Sequence, residues 1–229
     1  MTSIAVIPAR GGSKRIPRKN IKNFHGNPLI SYSIKAAINS GCFDRVVVST
    51  DDEEIAETAI RYGAEVPFIR NEKLSNDFSG TTPVIQDVIE KLENPNLEYI
   101  CCIYATAPMI SPKDIITGLN TIKAKLDCDY AFSITSYAFP IQRSLLLQKE
   151  GRVSMHNAEM FDVRSQDLEE CWHDAGQFYW GTKQAWQEGL PIFSSNSIGI
   201  KIPRYRVQDI DTLEDWDMAE ILYRAWRQG

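Results

Sequence analysis

Short apolar runs alternate along this chain with longer segments whose apolar residues recur every three or four positions. Buried strands are predicted over residues 4–7, 45–50, 66–69, 99–104 and 130–136. Helices are predicted to begin near Pro28, at the capping-box pair Asp51 and Glu54, at Thr82 and at Ser111. Strands that alternate with helices form parallel sheets with right-handed crossovers. The pattern therefore predicts a Rossmann-like α/β fold, with a mainly parallel sheet and helices on both faces.

The pattern changes after Phe139. Residues 144–148 and 152–155 predict a hairpin, and residues 156–175 have no clean period although they contain Met160, Phe161 and Trp172. Aromatic residues on a segment with little core of its own favour a subunit interface or a lid, and a plain surface insertion is the alternative. The chain is predicted to return to the sheet at residues 176–181 and 197–202. A terminal helix is predicted to begin at Thr212 with Asp215.

The first strand leads into a loop with two glycines, Gly11 and Gly12, and a set of basic residues that no acidic residue interrupts. The basic residues are Arg10, Lys14, Arg15, Arg18, Lys19 and Lys22. Glycines allow backbone N–H groups to turn inward on an anion, and neighbouring cations add positive charge. The loop matches neither the Walker A motif nor the dinucleotide motif G-x-G-x-x-G. It predicts a polyphosphate site, with a solvated basic loop or a nucleic-acid patch as the alternatives.

Composition narrows these alternatives. The 229 residues include 25 basic and 30 acidic side chains, and without the six of the loop only 19 basic residues remain. A local positive site on an acidic protein favours a small polyanion over nucleic acid. No apolar run approaches the roughly 20 residues that span a bilayer, so we expect no membrane partner. Five cysteines without a C-x-x-C pair lead us to expect a cytoplasmic protein.

A second candidate site is the segment Asp209-Ile210-Asp211. In a strand or turn, residues two apart point to the same side, so both carboxylates can reach one cation. Oxygen ligands suit Mg²⁺, which commonly bridges carboxylates and substrate phosphates. The alternative is that Asp211 or Thr212 only caps the last helix. Together with the basic loop, the segment indicates phosphoryl or nucleotidyl transfer, where catalysis rests on positioning and charge neutralisation.

Longer segments carry a resemblance to a known family. PARGGSKRIPRKN at 8–20, VSTDDEEIA at 48–56 and QDIDTLEDW at 208–216 resemble the CMP-sialic acid synthetase family, the cytidylyltransferases that activate nonulosonic acids. CCIYATAP at 101–108, FPIQRS at 139–144, RSQDLEE at 164–170 and HDAGQFYWG at 173–181 resemble its branch that acts on pseudaminic acid. The sialic acid enzymes have glutamine at the position of Tyr104, and arginine and asparagine just before the glycine that follows residues 173–175. These departures favour a nonulosonic acid other than sialic acid.

The resemblance implies that CTP and a nine-carbon sugar acid react in line to give a CMP-sugar and pyrophosphate, for surface glycan or flagellin glycosylation. It implies a catalytic set, namely Arg10, Lys14, Lys19 and Asp211. It implies nucleotide contacts from Pro8, Ala9, Arg10, Gly11, Asn20, Arg70, Ser79 and Thr81. It implies sugar contacts from Tyr104, Gln142, Arg143, Gln177 and Tyr179, and a Mg²⁺ or Mn²⁺ site at Asp209 and Asp211.

The resemblance also implies a division of the chain. Residues 1–138 and 176–229 correspond to a nucleotide-binding domain of the nucleotidyltransferase type. Residues 139–175 correspond to an excursion that forms the dimerisation arm of the family and completes the partner's site, so a homodimer is expected. The alternatives are activation of another sugar acid, such as legionaminic or sialic acid, transfer of another base, and a non-catalytic nucleotide sensor.

Overall fold

A six-stranded sheet lies at the centre of the protein, which the computed structural model describes over residues 2–76 and 80–228. The strands in the described residues are β1 (Thr2–Pro8), β2 (Asn23–Phe24), β3 (Asn27–Pro28), β4 (Arg45–Ser49), β5 (Leu97–Ile103), β6 (Tyr130–Ser136), β7 (Leu145–Leu147), β8 (Val153–Met155), β9 (Trp172–Thr182) and β10 (Ser197–Lys201). The central sheet has the order β10-β6-β9-β5-β1-β4, and β9 is antiparallel to both of its neighbours. The other pairs are parallel, which confirms the predicted mainly parallel sheet.

Helices cover both faces of this sheet. Those of the described residues are α1 (Ile30–Ser40), α2 (Glu53–Arg61), α3 (Thr81–Leu92), α4 (Pro112–Ala124), α5 (Lys183–Glu188) and α6 (Leu213–Gln228). Side chains of β1 alternate between the faces. Ala5 shares one apolar cluster with residues of α1, α2 and α4, whereas Val6 shares another with residues of α3 and α5. No helix in the described part of the chain has the length and apolar character needed to cross a membrane.

One predicted strand is wrong. Residues 66–69 form no strand of their own, and this part of the chain is bridged to β4 and the residue after it only at the isolated pairs Val47–Glu65 and Thr50–Ile69. Pro67 lies between the two bridges and has no N–H to donate to a ladder. An apolar run was therefore not enough to form a strand here.

Helix starts agree with the predictions to within one residue, except that α1 begins at Ile30 and not at Pro28, which lies in β3. Thr212 and Asp215 cap α6 reciprocally, since the Asp215 N–H donates to Thr212 Oγ1 (3.2 Å) and the Thr212 N–H donates to Asp215 Oδ2 (2.7 Å). Asp52 rather than Asp51 caps α2, because its Oδ1 accepts the Ile55 N–H at 3.0 Å. This correction leaves the Asp51 carboxylate available for another contact.

The excursion leaves the sheet after β6 and returns to it in β9. It contains the predicted hairpin, in which β7 and β8 pair from Leu145–Met155 to Leu147–Val153. Throughout residues 137–171, all of which the structure describes, no residue is buried. Residues 172–175 lie in β9, so the sheet begins again a few residues earlier than the predicted return at 176.

Candidate active site

A cavity of about 390 Å³ lies where β1 and β5 end, which is the edge of an open α/β sheet where ligands bind. The basic loop after β1 forms one wall, and the start of α3 together with the residues after β5 forms the other. Nine of the predicted site residues line this cavity: Pro8, Arg10, Lys14, Lys19, Asn20, Arg70, Thr81, Tyr104 and Asp211. The chain therefore brings together residues up to about 200 positions apart.

The cavity is strongly positive. Among the described residues that line it, five are cations and one is a carboxylate. Arg70 is buried, which lowers the pKa of its guanidinium, while the nearby Asp51 carboxylate acts in the opposite direction and Arg10 lowers that pKa further. Several cations held this close together attract a polyanion such as a triphosphate.

Hydrogen bonds to backbone groups of the basic loop hold it in shape. Asn20 Nδ2 donates to the Arg10 carbonyl at 3.0 Å, and the Ser13 N–H donates to the Gly11 carbonyl at 3.0 Å. The Gly11 N–H was expected to face a bound polyanion, but it donates to a carboxylate of the protein itself, Asp51 Oδ1, at 3.0 Å. Gly11 is required for close packing, because a Cβ there would lie 2.7 Å from Asp52 Oδ2. Ala9 is buried and Gly11 packs on this carboxylate, so their contribution to the cavity is indirect.

The D-x-D segment reaches the cavity through Asp211. Asp211 Oδ1 lies 2.8 Å from Arg15 Nη2 and 3.4 Å from Lys19 Nζ, and Lys19 also donates to the Ile210 carbonyl. Burial raises the pKa of Asp209, and the negative charge of Asp211 raises it further. Two carboxylates that repel each other are stabilised by a cation placed beside the pair.

Those two carboxylates suit a particular kind of ion. Within residues 2–76 and 80–228 no group of three or more His, Cys, Asp or Glu side chains is arranged to hold a metal. Two carboxylates that leave room for phosphate and water oxygens fit Mg²⁺ and Mn²⁺ better than a closed zinc-type site.

A pair of tyrosines lies behind the loop. Tyr104 Oη is 3.3 Å from Thr81 Oγ1, and the rings of Tyr104 and Tyr179 pack with centroids 5.2 Å apart. Tyr179 donates to an Asp174 carboxylate oxygen. Burial raises the pKa of both phenols, so both remain protonated and able to donate at neutral pH.

The other three predicted sugar residues do not line the cavity, although the Gln177 carbonyl accepts the Tyr104 N–H at 2.9 Å. Gln177 is buried, and its Nε2 donates to the Arg206 carbonyl. Gln142 and Arg143 are in the excursion, where their side chains donate to the Glu169 carbonyl (3.0 Å) and to Ser165 Oγ (3.1 Å). The chain by itself does not bring these three side chains to the cavity.

One residue of the cavity was not predicted as a site residue, and one predicted residue lies outside the described part of the chain. The sequence predicts Asp51 both as a helix cap and, with the strand end at 49–51, at the ligand edge of the sheet; the structure places it at that edge, where it accepts the Gly11 N–H. Arg15 was counted only among the basic residues of the loop, yet it pairs with Asp211. Ser79 lies outside the described residues.

Comparison with known proteins shows which class of protein contains this cavity. A family model for cytidylyltransferases matches residues 4–226. The chain belongs to the cytidylyltransferase family. It is therefore a nucleotidyltransferase, and the resemblance seen in its sequence motifs is confirmed.

Relatives of this cytidylyltransferase cover nearly its whole length. A pseudaminic acid cytidylyltransferase from Campylobacter jejuni (serotype O:2) is 47% identical over 227 residues, which are 98% of this chain and 97% of that protein. CMP-N,N'-diacetyllegionaminic acid synthase from Legionella pneumophila is 32% identical over 97% of this chain and 96% of that protein. The structure of CMP:2-keto-3-deoxy-manno-octonic acid synthetase complexed with CTP matches with a TM-score of 0.73 and 18% identity, covering 99% and 100% of the two chains. That similarity shows a shared nucleotidyltransferase fold.

Proposed function

We propose that this cytidylyltransferase couples CTP to pseudaminic acid and releases pyrophosphate and CMP-pseudaminic acid. The observation that carries the proposal is the 47% identity, over almost the whole of both chains, to a pseudaminic acid cytidylyltransferase. The positive cavity at the end of β1 supports the nucleotide half of the reaction, since CTP carries a polyanionic chain. A different sugar acid is the second candidate, because a relative named for legionaminic acid is 32% identical.

The triphosphate is the part of CTP that the basic loop would hold. Arg10, Lys14 and Lys19 would neutralise the phosphate oxygens and stabilise the charge that develops on departing pyrophosphate. Asn20 would join these cations at the phosphates, and Gly11 would contribute to nucleotide binding through the shape of the loop. The pocket for cytosine and ribose would be formed by Pro8, Ala9, Arg70, Ser79 and Thr81. Because the cations are placed before substrate binds, little reorganisation is needed during the reaction.

A Mg²⁺ or Mn²⁺ ion on Asp209 and Asp211 would complete the site, and when bound it would neutralise phosphate charge and orient the nucleotide. Lys19 would hold the D-x-D segment in place, since its ammonium donates to the Ile210 carbonyl and lies near Asp211. The same ammonium lines the cavity, so it couples the metal-binding segment to the phosphates.

The sugar acid would bind beyond the α-phosphate, next to Tyr104 and Tyr179. Its anomeric hydroxyl would attack the α-phosphorus in line with the leaving pyrophosphate. Both phenols are protonated at neutral pH, and Tyr104, which lines the cavity, would donate a hydrogen bond to a sugar oxygen. Tyr179 donates its proton to Asp174 and would support the Tyr104 ring by packing against it. Gln177 would support this wall from inside the sheet, where its Nε2 holds the Arg206 carbonyl.

We also propose that the protein is a homodimer, with residues 1–138 and 176–229 as the nucleotide-binding domain and residues 139–175 as the dimerisation arm. The excursion exposes a set of large apolar side chains: Phe139, Ile141, Leu145, Leu146, Leu147, Val153 and Phe161. Such a surface is typical of a subunit interface. Gln142 and Arg143 lie on this arm, so they would enter the partner's sugar site.

All five cysteines are free thiols, which supports a reducing, cytoplasmic location.

The decisive experiment is a pyrophosphate-release assay with Mg²⁺, CTP and pseudaminic, legionaminic or N-acetylneuraminic acid, with ATP, GTP and UTP as nucleotide controls. We expect release only with CTP and pseudaminic acid. Release with CTP and another acid would retain the cytidylyl transfer and replace the sugar. Tight CTP binding without release for any of the three acids would contradict the proposed reaction and favour a nucleotide sensor.

A further inference from the structure

Two contacts, which we call fastenings, hold the basic loop against the segment between β4 and α2. One is made at Gly11 and the other at Arg18. The first fastening is made by Asp51, whose Oδ1 accepts the Gly11 N–H at 3.0 Å and lies 3.8 Å from Arg70 Nη2. Arg70 is itself held, because its Nη1 donates to the Ser49 carbonyl (3.2 Å) and its Nε to Ser75 Oγ (3.0 Å). One carboxylate thus joins the loop backbone to a buried cation of the cavity wall.

The second fastening is made by Asp52. Its two carboxylate oxygens both accept from the Arg18 guanidinium, with Arg18 Nη2 at 2.9 Å from Oδ1, and the same guanidinium reaches Glu54. This pairing lowers the pKa of Asp52 and raises that of Arg18. Gly11 packs directly against the same carboxylate, since a Cβ at that position would lie 2.7 Å from Asp52 Oδ2.

The loop needs such restraint because its charges oppose its folding. Five cations surround a single cavity, and like charges at short range repel one another before a polyanion is bound. Among the residues that the structure describes, neither Asp51 nor Asp52 lines the cavity. Their carboxylates therefore contact the loop from outside the cavity.

We infer that Asp51 and Asp52 are positioning residues that hold the basic loop in its nucleotide-binding shape before CTP arrives. The inference rests on the proposed function for its ligand, but the fastening itself is a property of the free protein. Pre-organisation of this kind increases affinity because less conformational freedom is lost on binding.

The first test measures, by NMR, the hydrogen-exchange rate of the Gly11 amide in protein without nucleotide. Asp51→Ala removes the acceptor, and we expect exchange to become about tenfold faster or more. Asp51→Asn keeps an acceptor oxygen and is expected to retain slow exchange. Glu57→Ala, which removes an exposed carboxylate of the same helix α2, is the matched control and is expected to change nothing. Exchange that stays at the wild-type rate in Asp51→Ala would overturn the role of Asp51.

The second test separates the fastening by Asp52 from its role as the cap of α2. Asp52→Ser keeps a cap oxygen for the Ile55 N–H but is too short to reach Arg18. We expect Asp52→Ser to weaken CTP binding about tenfold in calorimetry while the melting temperature stays near that of wild type. Unchanged CTP affinity in Asp52→Ser would overturn the role of Asp52. If wild-type protein failed to bind CTP, the proposed function would fall, whereas the Gly11 exchange rates would still decide the fastening by Asp51.

Discussion

The sheet domain and the excursion meet at one edge of the sheet, and they are stabilised in opposite ways. Around the cavity, lining side chains are enclosed by their own chain: Arg70 is 4% exposed and Asn20 is 6% exposed. In the excursion, by contrast, apolar side chains face outward, with Phe139 83% exposed and Leu147 77% exposed. The cavity residues of the first region are buried by their own chain, whereas the second region has its apolar surface available for another chain.

This difference follows from what each region has to do. A site for a polyanion must hold repelling cations at fixed positions, and internal ties such as Gly11–Asp51 and Arg18–Asp52 provide that. A docking arm needs exposed apolar area, which contributes free energy only when a partner covers it. Substitutions in the two regions should therefore separate folding, catalysis and assembly.

The largest effect is expected in the core of the sheet domain. Trp186 is fully buried in α5, and its Nε1 donates to the Ile100 carbonyl at 3.1 Å. Trp186→Ala should lower the free energy of unfolding by about 4 kcal/mol, because a large cavity remains in the core. Phe139→Ala in the excursion is the contrast and should change monomer stability by less than about 0.5 kcal/mol. Urea unfolding of both variants at low protein concentration measures this, and equal losses would break the comparison.

The next effect concerns catalysis without folding. Asp211→Ala removes a cavity carboxylate that faces Arg15 and Lys19, and we expect kcat to fall about a hundredfold or more. Stability should stay within about 1 kcal/mol of wild type, because the ion pairs of Asp211 are partly exposed. The measurement pairs steady-state pyrophosphate release with urea unfolding. A nearly wild-type kcat would remove the metal role of this residue.

Lys14→Ala tests a second residue that lines the same cavity. The loss of one cation that lines the phosphate end should lower kcat/KM for CTP about tenfold to a hundredfold, with little change in the free energy of unfolding. Lys149→Ala at the tip of the excursion hairpin removes the same charge far from the catalytic chemistry and serves as its control. If Lys14→Ala lost stability and activity together, the lysine would be structural.

In the excursion the expected effect is on assembly. Leu147 is exposed on β7, so Leu147→Glu should leave the monomer folded while it raises the dimer dissociation constant about thirtyfold. Light scattering over a range of protein concentrations measures the mass against the 26.0 kDa of one chain. Wild-type protein that stays at one-chain mass at micromolar concentration would contradict the proposed dimer.

The smallest effect is on the pH dependence of stability. Asp52 has its pKa lowered from 3.8, first by Arg18 and also by the Ile55 N–H. A lowered pKa contributes stability that is present above 3.8 and is lost as pH falls through the lower, folded-state pKa. The stability advantage of wild type over Asp52→Asn, at most about 1 kcal/mol, should therefore shrink below pH 3.8. Urea unfolding at pH 7, 5 and 3 tests this, and an advantage that stays constant across the series would rule out titration of Asp52 as its source.

Much of the fold was predictable because local patterns carry it. The strand runs around residues 4–7 and 99–104, the hairpin of the excursion and the cap at Thr212 all depend on residues within a few positions of each other. The failed strand at 66–69 shows the limit of an apolar run, since Pro67 interrupts the ladder. The antiparallel direction of β9 could not be predicted either, because nothing local distinguishes it from a parallel strand.

The candidate site was predictable in its composition but not in its connections. Basic residues beside two glycines and a pair of aspartates two positions apart were enough to indicate cations, phosphate and a metal. Which acid caps α2 and which one holds Gly11 was settled only in the folded chain, where residues 40 positions apart meet. The positions of Gln142 and Arg143 were also settled only by the fold, which places both side chains outside the cavity of their own chain. Hydrogen-bond partners at long range depend on how strands and helices are packed, and local sequence patterns carry no information about that distance.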